Sequence, residues 1–108
     1  MGDISKTPRL SAVKTITAAT TLQATDAGLI FVSNATGFSI TLPPAASAMG
    51  VVYTFVKTHA AAAAATLDGH STELINGSQT YAAMDALYDT ATIACNGTAW
   101  HIVDKIIA

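Results

Sequence analysis

One short segment in the first half of the chain constrains its fold more than any other. Residues 39–42 alternate polar and apolar side chains, which is the period of a half-buried strand. The next two residues, Pro43 and Pro44, end that strand because neither can donate to a sheet ladder. Gly50 then opens a second strand that is rich in β-branched and aromatic side chains. The segment predicts two strands of a β domain, and it carries no catalytic motif.

Short strand patterns separated by turn signals also fill the rest of the chain. Asn96-Gly97 supplies the positive φ angles of a tight hairpin turn, and we expect Trp100 and Ile102 to share one face of that hairpin. Phe38, Ile40 and Leu42 should share a face, and Tyr53 and Phe55 should point inward. The predicted strands are 13–17, 20–23, 29–33, 38–42, 51–58, 66–68, 72–75, 90–95 and 98–104.

Two segments fit this pattern less well. Residues 60–65 are six consecutive alanines, which are too few to sustain a helix alone, so we expect a short strand or a loop. Residues 81–88 place Met84, Leu87 and Tyr88 at helical spacing, which predicts one helical turn or a long loop.

The number and spacing of the strands predict the fold class. Eight or nine short strands with turns every 8–12 residues favour an all-β, antiparallel β-sandwich or a jelly-roll-like barrel over residues 13–108. Residues 1–12 contain Pro8 and a mixture of polar and basic residues, which predicts an extended N-terminal arm.

The charge content narrows the classes of function. Charged residues make up 11% of the chain, against roughly 25% in ordinary soluble domains. A surface so poor in charge has little electrostatic defence against association, so we expect the chain to pack against copies of itself or a partner. Its five basic residues are scattered, which argues against nucleic-acid binding. No stretch approaches a membrane span or a signal peptide, and we expect synthesis in a cytoplasm without membrane contact.

The titratable residues form only one local cluster, Asp68, His70 and Glu73. Asp68-Gly69 is also a common turn dipeptide, so we favour a turn over a metal site or a small hydrolase centre. The lone Cys95 lies in an apolar strand and is typical of a small buried hydrophobe. We therefore expect no enzyme activity, no cofactor, no metal and no small-molecule substrate.

A series of short motifs follows a specific order along the chain. It consists of Thr20-Thr21-Leu22, Asp26-Ala27-Gly28, Phe38-Ser39-Ile40-Thr41-Leu42-Pro43, Gly50, Tyr53-Thr54-Phe55-Val56-Lys57, Asp68-Gly69, Ile75-Asn76-Gly77 and Asn96-Gly97-Thr98-Ala99-Trp100-His101-Ile102. With this series, residues 16–103 resemble a β-module of bacteriophage virion proteins, among them head decoration proteins and tail-fibre segments. The alanine run and residues 84–88 depart from the pattern.

The resemblance implies a virion role in a homotrimer or on a symmetric scaffold. A single short module suits a capsid decoration (cement) protein better than a fibre, which needs an attachment region, a shaft and a tip. The implied partner is the major capsid protein on the outside of the head. The expected contacts are Ile4, Lys6, Pro8, Arg9 and Leu10 in the arm and Lys105, Ile106 and Ile107 in the C-terminal tail. The tail could equally be a simple continuation of the last strand.

A second interpretation is a tail-fibre or baseplate-associated adhesin that binds host surface glycan. Such a site needs an exposed aromatic platform, for which Tyr81, Tyr88 and Trp100 are the candidates. We expect Trp100 to lie in the core, which weakens this interpretation.

Overall fold

The computed structural model describes residues 12–107, which form nine strands and two short 3-10 helices. The strands are β1 Ala12–Ile16, β2 Thr20–Thr21, β3 Gly28–Val32, β4 Phe38–Thr41, β5 Val52–Lys57, β6 Ala65–Asp68, β7 Thr80–Met84, β8 Thr90–Cys95 and β9 Trp100–Ile106. The 3-10 helices are Ala24–Asp26 and Ala45–Ser47. The all-β prediction is confirmed for this part of the chain.

The strands belong to two open sheets between which the chain alternates. One sheet has five strands in the order β9-β8-β5-β3-β1, and the other has four in the order β2-β4-β6-β7. From β1 to β6, successive strands alternate between the two sheets. Within each sheet these strands pair parallel, β1 with β3 and β3 with β5 in one, and β2 with β4 and β4 with β6 in the other. The last three strands pair antiparallel, β7 with β6 and β8 with both β5 and β9.

The antiparallel prediction is therefore wrong for the first six strands, and both sheets are mixed. The alternation of inward and outward side chains is the same in parallel and antiparallel strands, so periodicity does not distinguish them. Parallel neighbours need a long crossover, which is usually a helix. Here the crossover contains a strand of the other sheet, so the sequence offers no helical signal for it.

A single hydrophobic core receives side chains from both sheets. Trp100, Tyr53 and Phe55 are fully buried in it, as predicted. The ring of Tyr53 stacks on Trp100 with centroids 5.4 Å apart and is tilted against Phe55 at 5.8 Å. Its hydroxyl donates a hydrogen bond to the Gln23 carbonyl oxygen at 2.5 Å. The other buried apolar residues are Ile16, Leu22, Ile30, Val32, Ile40, Leu42, Ala45, Ala48, Ala65, Leu67, Ile75, Met84, Ala91, Ile93 and Cys95.

The segment with helical spacing begins with strand β7 and not with a helical turn. Tyr81 pairs with Leu67 and Met84 pairs with Ala65, and the register shifts between the two pairs. Of the three residues whose spacing suggested a helix, only Met84 is buried, whereas Leu87 and Tyr88 are exposed in the loop that follows β7. The helical turn predicted for residues 81–88 is therefore wrong, and the alternative prediction of a loop holds for residues 85–88 only.

Three other local predictions have mixed outcomes. No strand forms at 72–75, where Ile75 makes only isolated bridges to Ser78 and Trp100. Residues 60–64 of the alanine run form no regular element, as expected, and Ala65 begins β6. Ala12, which we assigned to the arm, begins β1, and the rest of the predicted arm lies outside the described residues.

We predict that Gly69→Ala destabilises the protein more than Gly50→Ala. A Cβ atom at Gly69 would overlap the backbone carbonyl of Glu73, whereas one at Gly50 meets nothing within 4 Å. Overpacking against backbone should cost about 3 kcal/mol. The positive φ of 83° at Gly50 should cost about 1 kcal/mol. Urea denaturation of both variants measures the difference, and equal losses would contradict the described turn.

We also predict an alkaline loss of stability that depends on Tyr53. Burial, with contributions from Asp26 and Cys95, raises the pKa of Tyr53 far above its ordinary value of 10.0. The unfolded chain releases this proton near pH 10 and the folded chain retains it, so stability falls as the pH rises above about 10. The urea concentration at the midpoint of unfolding should fall less steeply between pH 8 and pH 11 for Tyr53→Phe than for the parent protein. Identical slopes for the variant and the parent protein would disprove this linkage.

Candidate functional site

Of the outward sides of the two sheets, that of the five-stranded sheet is the more apolar. We call it the outer face. Strand register places its side chains in two complete rows and part of a third. The rows are Val13, Leu29, Thr54, Thr92 and Asp104; then Thr15, Phe31, Val56, Thr90 and Ile106; and then Val52, Ala94 and His101.

The outer face carries almost no charge. Seven of its side chains are apolar, four are threonines, and only Asp104 and His101 are titratable. Val13 and Ile106 are 60% and 67% exposed, while Leu29, Phe31 and Val56 are half-buried by their neighbours. Contiguous exposed apolar surface of this kind generally marks a site of contact with another molecule.

The outward side of the four-stranded sheet has a different character. The positions that register places there are all small and polar or acidic: Thr21, Ser39, Thr41, Thr66, Asp68 and Thr80. The outward sides of the two sheets thus differ in composition. Large apolar side chains occupy the outward positions of the five-stranded sheet only. The low charge content of the whole chain does not account for this difference between its two sheets.

A β-bulge at Val103 determines which tail residue reaches the outer face. The register of β9 against β8 shifts between Ile102 and Asp104. Because of this shift, the side chains of Asp104 and Ile106 point outward. Without the bulge, the alternation of β9 would have placed Lys105 on the outward side instead. The tail therefore extends the last strand. Lys105, Ile106 and the following Ile107 are all exposed.

The arm contacts lie beyond the described part of the chain. These residues are Ile4, Lys6, Pro8, Arg9 and Leu10, and their proposed contacts stay a prediction.

The acid–histidine cluster does not assemble into a single site. The Glu73 carboxylate accepts a hydrogen bond from the Ala45 N–H at 2.9 Å and so ties its loop to the second 3-10 helix. His70 is exposed, and Asp68 lies on the outward side of the four-stranded sheet. Within residues 12–107 no group of three or more His, Cys, Asp or Glu side chains could hold a metal ion.

The three aromatic candidates for glycan stacking lie in different environments. Trp100 is fully buried and Tyr81 packs partly against the core. Burial, with a smaller effect of Asp89, raises the pKa of Tyr81. Tyr88 is 67% exposed and adopts a positive φ of 69°. Its backbone N–H donates to the Lys57 carbonyl oxygen at 2.7 Å, which ties the backbone of the β7–β8 loop to the end of β5.

Sequence reasoning missed a buried polar pair, Lys57 and Asn34. The ammonium of Lys57 donates to the Asn34 side-chain oxygen at 2.8 Å, and the Asn34 amide donates to the Ala63 carbonyl at 2.8 Å. Both side chains are fully buried. The signal was available, since Lys57 continues the inward alternation of Tyr53 and Phe55. The pair joins the end of β5 to the loop after β3 and to the alanine run.

Residues 12–107 form no pocket, and none of their helices is long and apolar enough to span a membrane.

Comparison with protein-family models, with curated proteins and with solved structures gave no match to this chain.

We predict that Asn34→Ala destabilises the fold more than Lys57→Met. The first change leaves a buried ammonium without its closest acceptor and should cost about 3 kcal/mol. The second removes the charge, keeps an apolar stem of similar length and should cost about 1 kcal/mol. Urea denaturation at neutral pH tests the order. A larger loss for Lys57→Met would show that the ammonium is a net source of stability.

Proposed function

We propose that this protein is a bacteriophage capsid decoration (cement) protein without catalytic activity. It is made in the host bacterial cytoplasm and binds the outside of the head lattice as a homotrimer, in contact with the major capsid protein. The observation that supports this role most is the outer face, which is an apolar, charge-poor surface on one sheet with one carboxylate at its margin and so suits contacts within an assembly. The choice of a capsid protein as the partner rests on the resemblance of residues 16–103 to virion β-modules.

Such a protein stabilises a shell by mass action. A ligand that binds the assembled lattice and not its separated subunits shifts the equilibrium towards the lattice. An oligomer that contacts several lattice subunits at once multiplies this effect through its effective concentration. No bond is made or broken in this mechanism, and no cofactor is needed.

We further infer that the two sheets pack face to face as a β-sandwich. Their inward side chains belong to one continuous core, which supports this arrangement. A sandwich leaves the outer face on the surface of the domain, where it is available for contacts.

Arm and tail residues complete the proposed contacts. The tail supplies Lys105, Ile106 and Ile107, of which Ile106 stands on the outer face beside Thr90. The arm supplies Ile4, Lys6, Pro8, Arg9 and Leu10. Apolar residues from both segments would anchor the protein to neighbouring lattice subunits.

A tail-associated adhesin that binds host glycan is the second candidate function. Tyr88 favours it, because an exposed aromatic ring on a fixed, strained turn is a suitable platform for stacking a sugar. Tyr88→Ala should then abolish binding to host surface polysaccharide, and an unchanged affinity would exclude this role for Tyr88.

We predict that removal of residues 1–11, which leaves β1 whole, weakens binding to heads that lack the protein by at least about tenfold. Ile106→Asp should weaken binding by a similar factor, because it places a charge in an apolar contact. Co-sedimentation measures binding, and release of packaged DNA on heating measures particle stability. Leu87→Asp, at an exposed loop position, is the control.

Two results would count against these proposals in different ways. If the deletion leaves both binding and particle stability unchanged, the arm makes no contact. If the intact protein does not bind heads at all, the decoration role itself is wrong.

A further inference from the structure

Three buried polar side chains lie together at one end of the five-stranded sheet. Among residues 12–107, the buried polar or charged side chains are Asn34, Lys57 and Asp89, and each is at most 1% exposed. Asn34 follows β3, Lys57 ends β5 and Asp89 directly precedes β8. Burial of such groups is costly unless they are well paired. An amine, a carboxamide and a carboxyl group are thus held together away from water.

The hydrogen bonds around Asn34 determine how its side-chain amide is oriented. The Lys57 ammonium donates to the amide oxygen at 2.8 Å and to the Asn34 backbone oxygen at 3.5 Å. The amide nitrogen donates to the carbonyl oxygens of Ala63 at 2.8 Å and of Thr36 at 3.3 Å. Because an ammonium can only donate and a carbonyl can only accept, these partners exclude the flipped amide. The carbonyl group of the amide therefore faces the amine.

The lysine nitrogen lies close to the carbon atom of this amide. Its distance to the amide oxygen is 2.8 Å. Since a carbonyl bond adds about 1.2 Å, Nζ of Lys57 lies no more than about 4 Å from Cγ of Asn34. Reacting atoms held at about 3–3.5 Å behave as an intramolecular pair of very high effective concentration. A small rotation of the lysine side chain is enough to reach this range.

We propose that the amine of Lys57 attacks Cγ of Asn34 and forms an isopeptide bond with it. The bond between Nζ and Cγ forms, the bond between Cγ and Nδ2 breaks, and Nδ2 leaves as ammonia. Two of the three protons on the lysine nitrogen pass to Nδ2, so the released group is an ammonium ion. The step needs no oxidant, reductant or cofactor. It occurs once in each molecule, and it goes beyond the proposed function without resting on it.

Asp89 carries the protons between the two nitrogen atoms. The backbone N–H of Lys57 donates to the Asp89 carbonyl oxygen at 2.9 Å, which holds the two residues side by side. The Asp89 carboxylate accepts the N–H groups of Asp85 and Ala86 at 3.2 Å and 3.0 Å. A buried carboxyl group fixed in this way is suited to accept a proton from the amine and to donate one to the leaving nitrogen.

Burial favours the product of this reaction. The step replaces a buried ammonium by a neutral amide, which removes the cost of keeping a charge away from water. The released ammonium ion escapes to the solvent and is diluted there. Exclusion of water from the site also protects the acyl group from hydrolysis while it reacts.

The bond would close a covalent loop that joins the two sheets. The chain between Asn34 and Lys57 contains β4 of the four-stranded sheet and β5 of the five-stranded sheet. A cross-link of this kind restricts the unfolded chain as a disulfide does. Asn34→Ala and Lys57→Met both lack the bond, so it adds to both losses of stability and leaves their predicted order unchanged.

Mass spectrometry of the intact, purified protein tests the proposal. The parent protein should be lighter than the mass calculated from its sequence by one ammonia, about 17 Da. Lys57→Met should show no such loss against its own calculated mass. Lys105→Met, the same substitution at an exposed lysine, should retain the loss. Circular dichroism confirms that both variants are folded.

A peptide map of the parent protein keeps the test decisive if Lys57→Met does not fold. Digestion after aromatic residues should release one branched peptide in which a fragment with Asn34 is joined to a fragment with Lys57. Fragmentation of this peptide locates the bond, and no variant is required for it.

Asp89→Asn tests the proton transfer separately. Its amide oxygen can still accept the N–H groups of Asp85 and Ala86, but it cannot carry a proton. Bond formation, followed by mass at intervals after synthesis, should slow by about 100-fold or more. A variant that reacts as fast as the parent protein would overturn the role of Asp89.

Three results would overturn the bond itself. They are a parent mass equal to the calculated one, a peptide map without the branched peptide, and a loss of ammonia that persists in Lys57→Met. The last result would assign the loss to ring closure at Asn76-Gly77 or Asn96-Gly97, because asparagine followed by glycine can also release ammonia. None of these measurements involves capsid heads, so they leave the decoration role to its own test.

Discussion

The buried side chain of Tyr53 connects the three parts on which this structure depends. Its ring stacks on Trp100 of the final hairpin, and its strand β5 is the last parallel member of the five-stranded sheet. Its hydroxyl holds the carbonyl oxygen of Gln23, which belongs to the crossover from β2 to β3. The parallel windings and the antiparallel hairpin, which the pairing of β5 with β8 already joins, thus also meet at this residue in the core. Its strand β5 is also the middle strand of the sheet that carries the outer face.

Much of the local structure follows from the sequence, while the topology does not. Alternation over 38–42 and 51–58 predicts β4 and β5 with their inward residues, and Asn96-Gly97 predicts the final hairpin. Parallel pairing escapes prediction because it depends on which sheet each strand joins, and side-chain periodicity carries no such information. The spacing of Met84, Leu87 and Tyr88 likewise suggested a helical turn, although Met84 ends β7 and the other two residues lie in an exposed loop.

The candidate site was predicted only in part for the same physical reason. Ile106 follows from the sequence as an apolar residue near the end of a strand, but its side of the sheet depends on the bulge at Val103. The other members of the outer face come from all five strands of the sheet, and only their register brings them together. The charge-poor composition pointed to association without locating it. The structure locates the apolar surface on one sheet and leaves the other polar.

The central claim is that the outer face is a contact surface of the proposed assembly. The most direct measurement is the accessibility of methyl groups to a soluble paramagnetic agent, followed by NMR across a dilution series. We predict that the methyl groups of Leu29, Val56 and Thr92 are shielded at high concentration and become accessible on dilution. Those of Thr66 and Thr80, on the other sheet, should be accessible throughout. Equal accessibility of both sets at every concentration would contradict the account.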